Sequence, residues 1–515
     1  MSQKKSKNVI TTILLILYLI SMSLFILIYM VLNALFQWFQ LTFCAKFVQI
    51  MYTIRSPLKG ADTHFLRNAV KFVLPSLLIS IALIIGLILV DKLVRKWTAR
   101  ITLKSKAIGI TLLVVGIAVR CILFYEGFTT SHLILRNVNA SLGVTEYFRM
   151  KAEETKIYDD YYVDPIVDDI KADNPKNLLY IYMESMETTY ASVNEGGKQQ
   201  DVNYIPNLTT MSKEYISFSD KELLGGFHSS YGTDWTMAAM FASQAGVPFL
   251  FPEQQNDDFS ERQGMANGSV TLGDILNQKG YYQEFLCGSD ATFAGRKQFY
   301  TQHGNYHIYD NYSAVDDGYL TEDDFVWWGL ADKDLYRIAK DELTRISKLD
   351  QPFNLTMLTV DTHHVDGYVC ELCGNEYDTQ LGNVVACADK QIEEFIEWCQ
   401  QQPWYEDTVI VILGDHPRMD NSLVDGVDYV DRTVYNCFIN TEYDKDNLNL
   451  KNRVMTTMDL YPTVLASIGF SIPNDRLGIG TNLFSDKPTL AEQMGYETFN
   501  NEMKKYSSFY IKKCS

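Results

Sequence analysis

Polar positions are scarce along the first quarter of the chain and then return in a different rhythm. A nearly unbroken apolar run extends from Val9 to about Tyr29, with apolar character persisting to Phe43. Ala69–Val90 and Ala107–Phe124 follow. Each approaches the ~20 residues that carry a helix across a bilayer core. Transmembrane helices are therefore predicted at about 9–30, 69–90 and 107–124. A cleaved signal peptide competes for the first run, because Lys4, Lys5 and Lys7 precede it. That run is too long for a signal peptide, and no clear small-residue cleavage site follows it.

From residue 177 short apolar segments alternate with amphipathic ones. Asn177–Met183, Gly280–Cys287, Phe353–Val360 and Thr408–Leu413 read as buried strands, with Tyr435–Asn440 a weaker fifth. Asp332–Lys348 and Val385–Gln401 between them carry helical spacing. Strands alternating with helices predict an α/β domain with a mostly parallel central sheet flanked by helices. The expected division is a membrane anchor over 1–127, a juxtamembrane connector over 128–176, a soluble domain over 177–490 and a helical tail over 491–515. The connector is polar and rich in Tyr, Asp and Glu, as in Tyr158-Asp-Asp-Tyr-Tyr-Val-Asp-Pro165, and reads as a partly helical, partly extended arm.

Charge sharpens this division. Residues 1–150 hold 17 Lys/Arg against 4 Asp/Glu, in a chain whose net charge is −18. The body after them is strongly acidic, which argues against nucleic acid as a partner. Lys92, Arg95, Lys96, Arg100, Lys104 and Lys106 lie between the second and third apolar runs. With the N-terminal lysines they are expected in the cytoplasm. Arg55, Lys59 and Arg67 in the preceding loop reduce that contrast. Three crossings from an inside start put everything after about residue 128 outside; a fourth crossing within residues 30–50 would reverse this.

In open α/β sheets ligands bind beyond the carboxyl ends of the strands. Glu184 follows the first predicted strand, Asp361-Thr-His-His364 the third and Asp415-His416 the fourth. Such side chains bind divalent cations. Any one alone reads equally well as a cap or turn residue; the repetition over three strands points to a site. Gly225–Pro248 then runs from a Gly/Ser loop into a helix predicted from about Met237, with Thr236 at its N-terminal end. A hydroxyl there meets free backbone N–H groups that favour phosphate oxygens. Thr236 also fits a simple N-cap, and Thr233 competes for the functional role on spacing.

These pieces resemble the alkaline-phosphatase/sulfatase superfamily, and within it the group of lipoteichoic acid synthases and membrane-derived-oligosaccharide phosphoglycerol transferases. The resemblance covers about 177–490 and the preceding membrane helices. It is carried by Asn177–Ser185, by Gly232–Met240 continuing to Gln244–Pro248, by Asp361–His364 and by Gly414-Asp-His416. It implies a metal held by Glu184, Thr236, Asp415 and His416, namely Mn²⁺, with Mg²⁺ or Zn²⁺ as alternatives. It implies Thr236 as nucleophile, and His363 as the His that contacts substrate and protonates the leaving group, with His364 its competitor. Gly288–Arg296 resembles a substrate-binding stretch and suggests Asp290 and Arg296, although an aromatic residue expected near Ala294 is missing. Arg476–Gly480 resembles a structural C-terminal loop.

The implied protein is a multi-pass enzyme of the bacterial cell membrane with an extracytoplasmic catalytic domain. It would move phosphoglycerol from a phospholipid, phosphatidylglycerol, to a glycan or glycolipid. A phosphoethanolamine transferase, a phosphodiester hydrolase and a non-catalytic binding module are the alternatives. The Cys-x-Pro-x-Arg motif of sulfatases is absent from the sequence, which counts against sulfate-ester hydrolysis. Of the nine Cys, Cys44 and Cys121 sit in or near apolar runs. Cys370-x-x-Cys373 could join Cys387 and Cys399 in a zinc site, but the spacing matches no familiar zinc module. Disulfides or free thiols are therefore expected among the outward-facing cysteines.

Overall fold

The computed structural model describes residues 2–43, 46–55, 64–250, 264–363 and 365–514. It divides into two compact units, one of residues 1–47 and 63–146 and one of residues 48–62 and 147–515.

The first unit is helical. Helix α1 (Ser2–Leu27) continues through a π-helical turn, Ile28–Leu32, into α2 (Asn33–Phe43). Two long helices follow, α3 (His64–Lys104) and α4 (Lys106–Leu142), the second N-capped by Ser105 and ended by Gly143 in the left-handed region. Among the described residues three stretches are long and apolar enough to cross a membrane: Thr12–Gln40, Arg67–Ile101 and Lys106–Leu142. They match the predicted runs in place but exceed them in length: the first continues through the mostly apolar residues 30–40, the other two into polar flanks. Asp91 is buried among these apolar helices, and Arg120 pairs with it at 2.6 Å. Pairing lowers the cost of a charge held away from water.

The second unit is built on a six-stranded sheet. Its strands are β1 (Asn177–Met183), β2 (Tyr282–Cys287), β3 (His307–Tyr309), β4 (Phe353–Leu358), β5 (Thr408–Gly414) and β6 (Asn436–Ile439). The spatial order is β3-β2-β4-β1-β5-β6. All neighbours run parallel except β5 and β6. Residues of β1, β4 and β5 are buried on both faces, which is why they read as unbroken apolar runs rather than alternating ones. Apolar clusters pack on each face, one containing Tyr180, Phe241 and Leu465, the other Ile181, Leu343 and Ile396. Among the covering helices are α5 (Thr236–Ala245), α6 (Asp332–Ile346) and α7 (Gln380–Gln400).

The division differs from the expected one at both ends of the soluble domain. Residues 128–142 continue α4, and the segment from Tyr147 onward belongs to the soluble unit. Ile157, Tyr158 and Ile170 are buried there, and Lys171 bridges Ser471. The tail is likewise built in: Phe499, Met503 and Tyr510 are buried, and Tyr510 donates to the Pro248 carbonyl at 2.7 Å. Both segments carry apolar side chains spaced too widely for the sequence pattern to reveal a core contribution.

Candidate metal centre and its pocket

The carboxyl edge of the sheet gathers the residues singled out by sequence. Glu184 leaves β1 and is followed by Ser185, whose φ of 51° lies in the left-handed region. That kink lets the Ser185 N–H donate to Asp415 Oδ1 at 2.8 Å and the Ser185 hydroxyl to Glu184 Oε1 at 2.7 Å. Asp415 leaves the neighbouring β5, and its Oδ1 also accepts the His416 N–H at 2.8 Å. The two strand ends are thereby locked together with both carboxylates turned inward.

His416 is oriented by one bond. Its Nδ1 donates to the Pro417 carbonyl at 2.8 Å, which turns Nε2 toward the carboxylates. Nε2 stands 3.6 Å from Glu184 Oε1 and 3.4 Å from Asp415 Oδ2. One ligand atom each of Glu184, Asp415 and His416 lie within 4.8 Å of one another, all buried. Thr236 Oγ1 completes the group, donating to Glu184 Oε2 at 3.2 Å with His416 Nε2 at 3.3 Å. Thr236 is the first residue of α5, and the N-cap position belongs to Trp235, so its hydroxyl serves the cluster rather than capping the helix. Thr233 is fully buried and donates to the Ser230 carbonyl at 2.9 Å. It does not line the pocket.

The cluster fits a dication. Asp415 Oδ2 is buried and has no hydrogen-bond partner. Burial, followed by the Glu184 charge, pushes the Asp415 carboxyl up to about 7. Burial also opposes ionisation of Glu184, but His363 and then His416 hold its carboxyl below the ordinary value. Two oxygen donors, a hydroxyl and an imidazole, crowded away from water, need a compensating positive charge.

A pocket opens over Thr236 and Glu184 and is also lined by His363, Arg296, Phe293 and Trp328. The ring of His363 meets Trp328 edge to face at 4.9 Å. Arg296 is buried, and its Nη2 donates to Ser289 Oγ at 3.0 Å and to the Asp290 carbonyl at 2.9 Å. Asp290 lies beside the pocket rather than on its wall; its Oδ1 accepts the Thr292 N–H at 2.8 Å. Ala294 and Gly295 both have positive φ, and this turn puts Phe293 on the pocket wall, close to the position where an aromatic residue was expected. His364 lies outside the described residues.

Several residues that sequence reasoning missed hold this edge in place. Asp332, at the start of α6, accepts the N–H groups of Val360 and Asp361 at 2.7 and 3.0 Å. Burial and the Asp332 charge push Asp361 up to about 9, and it is not among the residues that cluster with Glu184. Arg418 is fully buried, forks onto Asp420 at 2.6 and 2.8 Å and donates to the Thr362 carbonyl at 2.7 Å. Its own N–H donates to Glu187 Oε1 at 2.7 Å, and Arg432 pairs with Glu187 from the other side. These charges lie in loops without periodicity, and only their mutual burial identifies them.

The sequence model of the sulfatase family matches residues 176–470. Phosphoglycerol transferase I of Escherichia coli is 33% identical over 322 residues, which make up 61% of this chain and 39% of that relative. The chain thus spans about two-fifths of the length of the curated relatives it matches. The lipoteichoic acid synthase LtaP from Listeria monocytogenes is a solved structure with 19% identity and a TM-score of 0.47, over 62% of this chain and 80% of that one. The integral membrane lipooligosaccharide phosphoethanolamine transferase EptA from Neisseria meningitidis has 13% identity and a TM-score of 0.48, over 86% and 83%.

Proposed function

Since the chain belongs to the sulfatase family, whose match covers more than half of it, we propose that it is a metal-dependent phosphoglycerol transferase. The donor is a membrane lipid, phosphatidylglycerol, and the acceptor a cell-surface glycan or glycolipid. One observation carries the reading: Thr236 Oγ1 stands within hydrogen-bond reach of Glu184 and His416, in a pocket that His363 and Arg296 also line. The identity with phosphoglycerol transferase I supports the group transferred.

A divalent cation, Mn²⁺ in this reading, held by Glu184, Thr236, Asp415 and His416, supplies the positive charge that lowers the hydroxyl pKa and neutralises phosphoryl oxygens. Thr236 loses its proton to solvent and attacks the donor phosphorus. The bond from phosphorus to the diacylglycerol oxygen breaks, and His363 gives the departing alkoxide its proton. Thr236 then carries the phosphoglycerol as an ester. In the second half His363 takes the proton of the acceptor hydroxyl, which attacks phosphorus; the bond from phosphorus to Thr236 Oγ1 breaks, and Thr236 regains its proton from solvent. Arg296 balances phosphate charge at the pocket wall, and Trp328 holds the His363 ring.

The three apolar helices make this a membrane protein, and a membrane-bound catalyst meets a lipid donor at high effective concentration. We assign the pocket to the outer face. Residues 48–55, after the first span, group with the soluble unit, and Gln49 Nε2 donates to the Asp234 carbonyl at 3.5 Å. That loop then lies on the pocket's side, as two further crossings require, and the outer assignment rests on the Lys/Arg-rich segment 92–106, which favours the cytoplasm.

The test is donor choice. Full-length protein in mixed micelles with Mn²⁺ is given phosphatidylglycerol or phosphatidylethanolamine, with and without a glycolipid acceptor, and diacylglycerol is measured. Release from phosphatidylglycerol that rises with acceptor is expected. Release from phosphatidylethanolamine alone would move the reading to phosphoethanolamine transfer, and acceptor-independent release of free glycerol phosphate would make it a hydrolase.

A further inference from the structure

Below the loop that carries His363, three cysteines converge. Cys370 and Cys373 lie on the segment joining β4 to α7, and Cys387 lies on α7 itself. Cys370 Sγ is 3.7 Å from Cys373 Sγ and 3.9 Å from Cys387 Sγ. The three sulfurs fall within 4.8 Å of one another. Cys370 and Cys387 are buried and Cys373 is half-buried. Cys399, one helix stretch further on, belongs to a different apolar cluster with Ile396 and Trp404, so the four-cysteine set considered from sequence is not what the fold assembles.

We propose that Cys370, Cys373 and Cys387 form a second metal site, a three-thiolate seat for Zn²⁺ that clips the His363 loop to α7. A zinc–thiolate bond of about 2.3 Å in tetrahedral geometry separates two ligand sulfurs by roughly 3.8 Å, and the observed separations of 3.7 and 3.9 Å straddle that value. A disulfide would consume two of these sulfurs and leave the third unengaged, whereas one soft cation engages all three.

The surroundings agree. Gln391, one turn after Cys387, donates its Nε2 to Cys387 Sγ at 3.3 Å, the kind of bond that steadies a thiolate. Cys373 donates its N–H to the Cys370 carbonyl at 3.1 Å, forming the tight turn that brings the two sulfurs to one side. The thiols release their protons on binding, and the fourth tetrahedral position is left for water. The site lies apart from Glu184, Asp415 and His416, which form a separate group. Oxygen and imidazole donors there and sulfur donors here sort hard from soft cations. The assignment does not depend on the transfer reaction.

Full-length protein is purified from zinc-supplemented cells, washed with EDTA, and its zinc measured by mass spectrometry. About one tightly held zinc per chain is expected, and the Glu184→Gln variant is expected to keep it. Titrating the wild-type protein with a mercurial should release that zinc in step with thiol modification, a readout that needs no variant. Cobalt substitution should give a thiolate charge-transfer band that falls by about a third in Cys373→Ser. Cys370→Ser and Cys387→Ser are expected to lose the zinc. A zinc-free protein, with Cys370 linked to Cys373 or Cys387 in non-reducing peptide mapping, would overturn the proposal. So would three thiols that alkylate freely in the native protein, or zinc lost in Glu184→Gln and retained in the cysteine variants.

Discussion

Replacing Arg418 with methionine removes a guanidinium that is fully buried and bound on three sides. It leaves Asp420, 5% exposed, with the Ser422 N–H at 2.9 Å in place of a bidentate cation. Breaking one partner out of a buried pair costs about 3–5 kcal/mol. A drop of several degrees in thermal midpoint is expected for full-length protein in detergent, followed by tryptophan fluorescence. Removing both charges in Arg418→Met/Asp420→Leu takes away the orphaned carboxylate, and most of the stability should return. Activity should not return with it. Arg418 also donates to the Thr362 carbonyl, next to His363, and neither variant restores that anchor. A displacement on the order of 1 Å at a proton donor lowers turnover by ~10²-fold. Diacylglycerol release should therefore stay depressed in the double variant while its midpoint recovers. Recovery of both together, or a single variant as stable as the parent, would refute the idea that Arg418 positions the loop.

Three further outcomes follow from the geometry. Chelation should abolish turnover and Mn²⁺ restore it, and Asp415→Asn should raise the Mn²⁺ needed for half-activation by at least ~10-fold in a titration. Trp328→Ala removes an edge-to-face partner of His363 worth about 0.5–1.5 kcal/mol, so kcat/KM should fall roughly 2- to 10-fold with the fold intact by circular dichroism. Burial pushes the Asp389 carboxyl up to about 7, against about 4 in an unfolded chain, so between those values the native state binds the extra proton. Stability then decreases as pH rises from about 4 to 7, and Asp389→Asn should flatten that slope in midpoints measured across the range.

How far the sequence revealed the molecule depended on how local each signal was. β1, β4 and β5 are buried on both faces, so each appears as a continuous apolar run, and the first acidic residue after each is visible without any structure. Glu184, Asp415 and His416 were legible for that reason. β3 was missed because three residues at a sheet edge carry no period, and the antiparallel direction of β6 is set by how the long connection after β5 returns the chain beside it rather than by its composition. Thr236 and Thr233 could not be separated by spacing. Helix α5 separates them by starting at Thr236 and turning that hydroxyl toward Glu184, while Thr233 bonds back to Ser230. The convergence of Cys370, Cys373 and Cys387 was half visible as a Cys-x-x-Cys pair; which third cysteine joins it depends on how α7 packs.

The central claim is that Thr236 becomes covalently charged with phosphoglycerol. Full-length protein is incubated with Mn²⁺ and phosphatidylglycerol labelled in its glycerol head group, without acceptor, then quenched, digested and mapped by mass spectrometry. The account predicts label on the peptide containing Thr236, lost on adding acceptor and absent in Thr236→Ala but present in Thr233→Ala. Label on Thr233, or full turnover by Thr236→Ala, would contradict it.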